Sequence, residues 1–149
     1  MDVGVYGLHF ASLFLGENPS EIKALANIED GVDTLMEVLL KYESGAIAKI
    51  SSATRLSKPA DGRIYGSKGQ IYMPCFYGAN ELYIGNQKTE APPIGEGFEE
   101  EIIEVCDCIR KGKTESDVHP LSSSIKILEQ MDEIRKQCGI TYPADLRKD

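Results

Sequence analysis

The sequence predicts an α+β domain in which helices pack on one face of an open, mostly antiparallel sheet of five to six strands. Three observations lead to this prediction. Residues 3–15 are apolar at nearly every position, residues 21–84 contain several runs with strand periodicity, and residues 99–137 contain two runs with helical periodicity. At 149 residues the chain has the length of one domain with a continuous core.

The first helix is expected over residues 3–15. It has few polar positions, so we expect it to be buried, and Gly16 ends it. Asp2 precedes the helix, where its carboxylate could act as the N-cap. Tyr6 and His9 are three residues apart and therefore share one face of this helix.

The central part of the chain predicts consecutive antiparallel strands. Apolar and polar residues alternate from Thr34 onward, which indicates a half-buried strand. Residues 66–69 (GSKG) superficially resemble a phosphate-binding loop, but they lie between two strands and are better explained as a hairpin. The strands are expected at residues 21–28, 34–42, 46–54, 63–65, 70–74 and 81–84.

Two helices are expected after a link rich in proline and glycine at residues 91–97. The first begins at about residue 99 and ends at Gly112, and the second runs from about residue 121 to Gly139. Helical spacing gives the first of them one apolar stripe, formed by Ile102, Val105, Cys106 and Ile109. The second is expected to bury Ile127, Met131, Ile134 and Cys138.

Composition excludes several classes of partner. The net charge is −8 and the basic residues are scattered, which opposes binding to nucleic acid or to an anionic membrane. No apolar run approaches the length of a membrane span, and no export signal is visible, so we expect a cytoplasmic protein whose cysteines are thiols.

Common catalytic and cofactor motifs are also missing from the sequence. Cys106 and Cys108 are two residues apart on a helix, so their side chains diverge, and no metal site is expected. No glycine triplet follows a strand and opens a helix, so the chain has no dinucleotide site of the doubly wound type. The serines at 122–124 lack a nucleophile elbow and indicate a helix start.

Tyr6 is the remaining candidate for chemistry. A tyrosine, with a pKa normally near ~10, acts as a general acid or base near neutral pH only beside a cation that lowers it. The only lysine near it in sequence is Lys23, so that cation would come from another domain. Spacing alone favours the simpler interpretation, in which Tyr6 is a core aromatic residue with a hydrogen-bonded hydroxyl and Asp2 is a helix cap.

Three segments of the chain, taken together, resemble one protein family. Residues 2–6 (DVGVY) resemble a D-[IV]-G-x-Y segment, and residues 63–71 (RIYGSKGQI) resemble a mid-sheet hairpin. Residues 108–116 (CIRKGKTES), with Pro-Leu at 120–121 and Tyr-Pro at 142–143, resemble a terminal helix pair and tail. The family is the Gfo/Idh/MocA oxidoreductases, whose carboxy-terminal domain the whole chain resembles, nearest the trans-dihydrodiol dehydrogenase and glucose-fructose oxidoreductase branch.

The resemblance implies a two-domain dehydrogenase or reductase that uses NAD or NADP. Residues 1–149 would be its substrate-binding and dimerisation domain, forming a homodimer through the sheet, and the amino-terminal Rossmann domain would be missing from this chain. The substrate would be a small molecule, namely a sugar, a polyol or a dihydrodiol-like alcohol or carbonyl, bound where the two domains meet.

The same resemblance assigns roles to individual residues. Tyr6 matches the family tyrosine that shuttles a proton beside a lysine held by the Rossmann half, and Asp2 matches an acidic residue that helps to hold that site. His9 has no family role, but its helical spacing from Tyr6 makes it a substrate-binding candidate. The isolated chain is expected to bind no NAD(P) and to be inactive; the alternative is a free-standing, non-catalytic dimerisation or ligand-binding module.

Overall fold

The computed structural model describes residues 1–95 and 97–146, which form two compact units. The first unit comprises residues 1–58 and the chain from residue 122 onward, and the second comprises residues 59–121. The predicted link at 91–97 and the predicted domain 1–149 include Glu96 and residues 147–149, which lie outside the described residues.

Three helices and seven strands make up the described part of the chain. The helices are α1 (Gly4–Leu15), α2 (Glu99–Arg110) and α3 (Leu121–Cys138). The strands are β1 (Glu21–Glu29), β2 (Val32–Lys41), β3 (Ile47–Ala53), β4 (Gly62–Gly66), β5 (Gly69–Met73), β6 (Glu81–Ile84) and β7 (Gln87–Glu90). Two short 3-10 turns are formed, one between β5 and β6 at Phe76–Gly78 and one after α3 at Pro143–Leu146.

The first unit contains an antiparallel sheet in which β2 lies between β1 and β3. Met36, Val38 and Leu40 are buried on one face of β2, while Leu39 and Lys41 are exposed on the other. This burial confirms the two faces that the period-two pattern predicts, because successive side chains of a strand point to opposite faces.

Helices α1 and α3 cover the buried face of this sheet. Leu8 and Ala11 of α1 and Ile127 and Ile134 of α3 belong to the same cluster of buried side chains as the core residues of β2. Helices on one face of an antiparallel sheet are therefore confirmed for this unit. The remaining buried members of the cluster are Met1, Met36, Val38, Leu40, Tyr42, Ile50 and Ile140. Met131 and Cys138 are partly buried and pack against this cluster.

One side chain of α3 closes the edge of this sheet. Gln137 accepts a hydrogen bond from the amide of Ala24 at 3.0 Å and donates one to the carbonyl of Ile22 at 2.9 Å. The amide of Gln137 thus occupies two backbone groups of the edge strand β1. Edge strands with free backbone groups invite pairing with another chain, and this contact protects β1 at that point.

The second unit contains a separate antiparallel sheet with the order β4-β5-β6-β7. Gly66 pairs with Gly69 across the first turn, so the predicted hairpin at residues 66–69 is confirmed. The sequence did not reveal β7, because its four residues are polar and all exposed and carry no apolar alternation. One row of paired residues crosses all four strands of this sheet: Arg63, Tyr72, Tyr83 and Lys88. The guanidinium of Arg63 lies 4.2 Å from the ring centroid of Tyr72.

The α+β class and the antiparallel pairing are confirmed, but the strands do not form one sheet. Seven strands form two sheets of three and four strands, whereas we expected a single sheet of five to six. The break falls after β3, where residues 54–61 form no strand and include Pro59. Alternation identifies each strand separately, and it carries no information on whether consecutive strands share a ladder.

The apolar stripe of α2 has the predicted helical spacing but is not buried. Ile102 is 61% exposed and Ile109 is 70% exposed, while Cys108, outside the predicted stripe, is the buried residue of this helix. The expectation that this stripe packs on the sheet is therefore wrong for the described chain. A periodic pattern identifies an apolar face, but it does not identify the surface that covers it.

Glycine ends both of the later helices, as predicted. Gly112 and Gly139 each have φ 67, a left-handed conformation that other residues adopt only with strain. In each case the amide of the next residue returns to the last turn: Lys113 to the carbonyl of Cys108, and Ile140 to that of Arg135, both at 2.9 Å. These bonds satisfy carbonyl groups that a helix end otherwise leaves unpaired.

Candidate active site

Helix α1 has one buried face and one exposed face, although its sequence is apolar almost throughout. Gly4, Leu8 and Ala11 are buried, whereas Leu13 and Phe14 are exposed. The expectation of a helix buried on all sides is therefore wrong. Gly16 ends the helix as predicted, with its amide bonded to the carbonyl of Ser12 at 2.9 Å.

Two glycines allow the buried face of α1 to approach β3 closely. A Cβ atom added to Gly7 would lie 2.4 Å from Cγ2 of Ile50, well inside van der Waals contact. A Cβ atom added to Gly4 would lie 3.3 Å from Oγ of Ser52. The absence of side chains at these two positions therefore sets the distance between the helix and the strand.

Tyr6 projects from the exposed side of this helix. It is the third residue of α1 and is 53% exposed, so it is not a core aromatic residue. A side chain with this exposure can be reached by a ligand or by another domain. Lys23, the nearest lysine in sequence, forms an ion pair with Glu21 at 3.4 Å.

The structure places His9 as predicted but not Asp2. His9 lies three residues after Tyr6 in α1 and is partly buried. Asp2 does not cap the helix: the N-cap is Val3, and no side chain makes a capping hydrogen bond there. The backbone of Val3 has helical angles (φ −79, ψ −32) and not the extended conformation that is typical of an N-cap residue. Asp2 is exposed one residue further from the helix.

A buried polar cluster, formed by Met1, Asp33 and Tyr142, fixes the chain just before α1. The nitrogen of Met1 donates to Oδ1 of Asp33 at 2.8 Å and to the hydroxyl of Tyr142 at 2.7 Å. The hydroxyl of Tyr142 donates in turn to Oδ1 of Asp33 at 3.1 Å. Asp33 is only 7% exposed, so these bonds compensate for its removal from water.

The carboxy-terminal end of the described chain holds Tyr142 in this cluster. The guanidinium of Arg135 lies 4.7 Å from the ring centroid of Tyr142 and forms an ion pair with Asp145. The carboxylate of Asp145 accepts a hydrogen bond from the amide of Tyr142 at 2.8 Å. Sequence reasoning missed this cluster; a charged residue at position 33, directly before an alternating apolar run, was the available signal.

Tyr142 predicts a loss of stability at alkaline pH. Burial, the charge of Asp33 and the hydrogen bond to it raise the pKa of Tyr142. Its stabilising contribution is complete below the pKa of an unfolded tyrosine, about 10, and is lost as the pH rises through the higher folded value. We expect Tyr142→Phe to flatten the fall in unfolding free energy above pH 10 and to cost about 1–2 kcal/mol at pH 7, where two partly buried hydrogen bonds are lost.

Urea unfolding between pH 7 and 11 measures both effects, with Tyr42→Phe as the matched control. Burial raises the pKa of Tyr42 as well, but its hydroxyl makes no hydrogen bond within residues 1–95 and 97–146. The control should flatten the alkaline slope without the loss at pH 7. Equal losses at pH 7 in the two variants would contradict the hydrogen-bond argument.

Other features of the described chain do not form a second candidate site. An open cavity of about 430 Å³ is lined by Leu15, Asn18, Pro19, Ser20, Tyr42, Glu43 and Ser44, and none of the predicted site residues lines it. Across the described residues, no group of three histidine, cysteine or acidic side chains could hold a metal ion, and the four cysteines are free thiols. Over the same residues, every helix is too short or too polar to cross a membrane.

The fold is that of a known class of oxidoreductase domains. Residues 1–72 match the family model described as the GFO/IDH/MocA C-terminal domain. The chain belongs to this family as its carboxy-terminal domain. This finding confirms the resemblance drawn from the three sequence segments.

The relatives of the chain are trans-1,2-dihydrobenzene-1,2-diol dehydrogenases. The mouse protein (Mus musculus) is 31% identical over 159 residues, covering 99% of this chain and 48% of the relative. The rabbit protein (Oryctolagus cuniculus) is 33% identical over 162 residues, covering 97% of this chain and 48% of the relative. The chain therefore spans about half the length of the curated relatives it matches.

Solved structures show the same fold. UDP-N-acetylglucosamine 3-dehydrogenase GnnA from Acidithiobacillus ferrooxidans has a TM-score of 0.76 at 14% identity, covering 99% of this chain and 48% of that one. KijD10, a 3-ketoreductase from Actinomadura kijaniata in complex with NADP, has a TM-score of 0.70 at 21% identity, covering 92% of this chain and 46% of that one. At these identities the similarity concerns the fold alone.

Proposed function

We propose that this chain is the substrate-binding half of an NAD(P)-dependent dehydrogenase or reductase acting on a sugar, a polyol or a dihydrodiol-like alcohol or carbonyl. The observation that carries the proposal is that Tyr6, 53% exposed, lies on a helix that two glycines allow to approach the sheet closely. The names of the relatives support the substrate class, since they include a dihydrodiol dehydrogenase, a sugar-nucleotide dehydrogenase and a ketoreductase.

The described residues do not themselves fit a nicotinamide dinucleotide. A doubly wound dinucleotide site requires parallel strands joined by a helix, and every strand pair in both sheets is antiparallel. We therefore assign the cofactor to a separate nucleotide-binding half, as the coverage of only half of each relative supports. The chemistry left to this chain is the movement of a proton at the substrate oxygen.

Tyr6 would carry that proton. When a carbonyl group is reduced, its oxygen gains negative charge, and the hydroxyl of Tyr6 would donate a proton to it; in the oxidation of an alcohol the phenolate would take the proton back. A cation beside the phenol would stabilise the phenolate, and we assign it to a lysine of the other half. In support, KijD10 has been solved with NADP in variants that replace one tyrosine by phenylalanine and one lysine by alanine.

Asp2 and His9 are secondary members of the proposed site. His9 follows Tyr6 by three residues on the same helix and could donate or accept a hydrogen bond at a substrate hydroxyl group. Asp2, exposed before the helix and free of a capping role, would orient residues of the other half. We expect substitutions of Asp2 and His9 to affect substrate binding more than proton transfer, because Tyr6 is the residue that matches the tyrosine of the D-[IV]-G-x-Y segment.

A homodimer through the sheet is part of the proposal. The outer face of the first sheet carries exposed apolar side chains on all three strands, namely Leu25, which is 78% exposed, Leu39 and Ile47. Burying such a face against a second copy would remove apolar surface from water.

The test is a hybrid enzyme in which this chain replaces the matching region of the mouse relative. We expect it to bind NADP(H), measured by nucleotide fluorescence, to sediment as a dimer, and to oxidise or reduce at least one member of a panel of dihydrodiols, sugars, polyols and their ketones. The unaltered mouse protein is the control. A folded hybrid that binds the nucleotide but turns over no panel member would favour the non-catalytic module instead.

A further inference from the structure

We propose that Asp33 is a positioning residue for Tyr6, acting through the start of α1 with the help of Tyr142. The inference rests on the proposed function, because it concerns the position and orientation of the Tyr6 hydroxyl, which would transfer the proton. Neither Asp33 nor Tyr142 is proposed to contact the substrate. Their role is to fix the backbone from which the catalytic side chain projects.

The start of α1 lacks the devices that normally hold a helix end. No side chain caps Val3, and no acidic residue lies in the first turn. Amide groups of a first turn have no partner within the helix, so such an end frays unless something outside holds it. Tyr6 is the third residue of this helix, so the uncapped turn is the one that carries it.

The cluster of Met1, Asp33 and Tyr142 supplies the missing restraint. Asp33 accepts hydrogen bonds from the nitrogen of Met1 and from the hydroxyl of Tyr142 on a side chain that is 7% exposed. The Met1 side chain is itself buried, and its Cε lies 3.9 Å from where a Cβ atom of Gly4 would be, beneath the first turn. A backbone N–H at the place of the Met1 nitrogen could make the same bond to Asp33, because the bond requires only a hydrogen on nitrogen.

The cluster also joins three distant parts of the first unit. Asp33 lies at the start of β2, 32 residues from Met1 and 109 residues from Tyr142. Because core residues of β2 are buried together with residues of α1 and α3, Asp33 is anchored on a strand that belongs to the core of the unit. The start of α1 is thus tied to the core of the sheet, and not only to its own turn.

Small displacements at a proton donor have large effects. A shift of about 1 Å in a reacting group can cost roughly 100-fold in rate, so a loosened first turn would lower turnover without removing Tyr6. The substrate contact proposed for His9 would be retained, because His9 lies in the second turn of α1, beyond the turn that is loosened. The expected signature is a lower kcat with a nearly unchanged KM.

The experiment uses Asp33→Asn and Tyr142→Phe, with Asp30→Asn as the matched control. Asp30 is three residues away, fully exposed, and has φ 52, which asparagine tolerates. In the 149-residue chain, amide hydrogen exchange is measured for α1 and α3. In the hybrid enzyme, kcat and KM are measured beside those of Tyr6→Phe.

We expect Asp33→Asn to accelerate exchange about 10-fold at the amides of Leu8 and His9, whose helical hydrogen bonds end on carbonyl groups of the first turn of α1, to leave α3 unchanged, and to lower kcat about 10-fold with KM within about twofold. Tyr142→Phe should act in the same direction by about threefold, and it carries the test if circular dichroism shows that Asp33→Asn does not fold. Unchanged exchange and kcat would overturn the proposal, as would an equal acceleration in α3, which indicates global destabilisation. Unaltered turnover in Tyr6→Phe would overturn the proposed function instead, while the exchange data would still report on Asp33.

Discussion

Replacing Tyr6 by phenylalanine is expected to lower the turnover of the hybrid enzyme by about 10²- to 10⁴-fold, the usual contribution of a positioned general acid or base. The substitution removes one oxygen atom and its proton and leaves the ring on α1. Because Tyr6 is 53% exposed and is no part of the buried cluster of the first unit, the fold should tolerate the change. Nucleotide binding should also be retained, since we assign it to the other half.

The expected loss lies in kcat, because the proton is needed as charge develops on the substrate oxygen and not when the substrate binds. Steady-state kinetics, with nucleotide binding and far-ultraviolet circular dichroism measured on the same samples, distinguishes a loss of proton transfer from a loss of nucleotide binding or of folding. Tyr65→Phe is the matched control, because Tyr65 is also exposed but lies in the second unit, and its activity should stay within about twofold. If Tyr6→Phe retained full turnover, Tyr6 would not be the proton carrier.

Local patterns in the sequence predicted the elements of this fold well. The alternation in β2, the hairpin at residues 66–69 and the glycine ends of α2 and α3 depend on residues that are close together in the chain. Short-range sterics and hydrogen bonding decide such features, so composition and spacing carry the signal. The helical placement of Tyr6 and His9 was predictable for the same reason.

Features that depend on distant residues could not be predicted in this way. The bonds of Asp33 to Met1 and Tyr142 join residues far apart in the chain, and the charged residue before the alternating run of β2 does not by itself indicate these partners. The exposure of the α2 stripe and the division into two sheets likewise depend on which surfaces meet. The capping role predicted for Asp2 is wrong, because Val3 and not Asp2 stands directly before the first residue of α1, and no side chain makes a capping hydrogen bond there.

The second large effect is expected at Gly7, where alanine should destabilise the chain by about 1–2 kcal/mol. In a helix the change from glycine to alanine normally stabilises by up to about 1 kcal/mol, because alanine restricts the unfolded chain. Here the new methyl group would lie 2.4 Å from Cγ2 of Ile50, with two more atoms of that side chain at 3.5 Å. Ile50 is buried in β3, so the overlap must be relieved by moving the helix or the strand, and overpacking of this kind costs about 1–3 kcal/mol. The overlap outweighs the gain in helix propensity.

Calorimetry and urea unfolding measure the effect of Gly7→Ala, and a fall in Tm of about 2–8 °C is expected for a chain of this size. Gly4→Ala is the matched control, because its methyl group would meet Oγ of Ser52 at 3.3 Å, a small side chain that can rotate, and Cε of Met1 at an ordinary contact distance of 3.9 Å; the stability of this variant should change by less than about 0.5 kcal/mol. Combining Gly7→Ala with Ile50→Ala removes the clashing atoms, so the loss in the double variant should be smaller than the sum of the two single losses by about 1 kcal/mol or more. Additive losses, or a Gly7→Ala chain as stable as the original, would show that a close approach of α1 to β3 does not set the position of the helix that carries Tyr6.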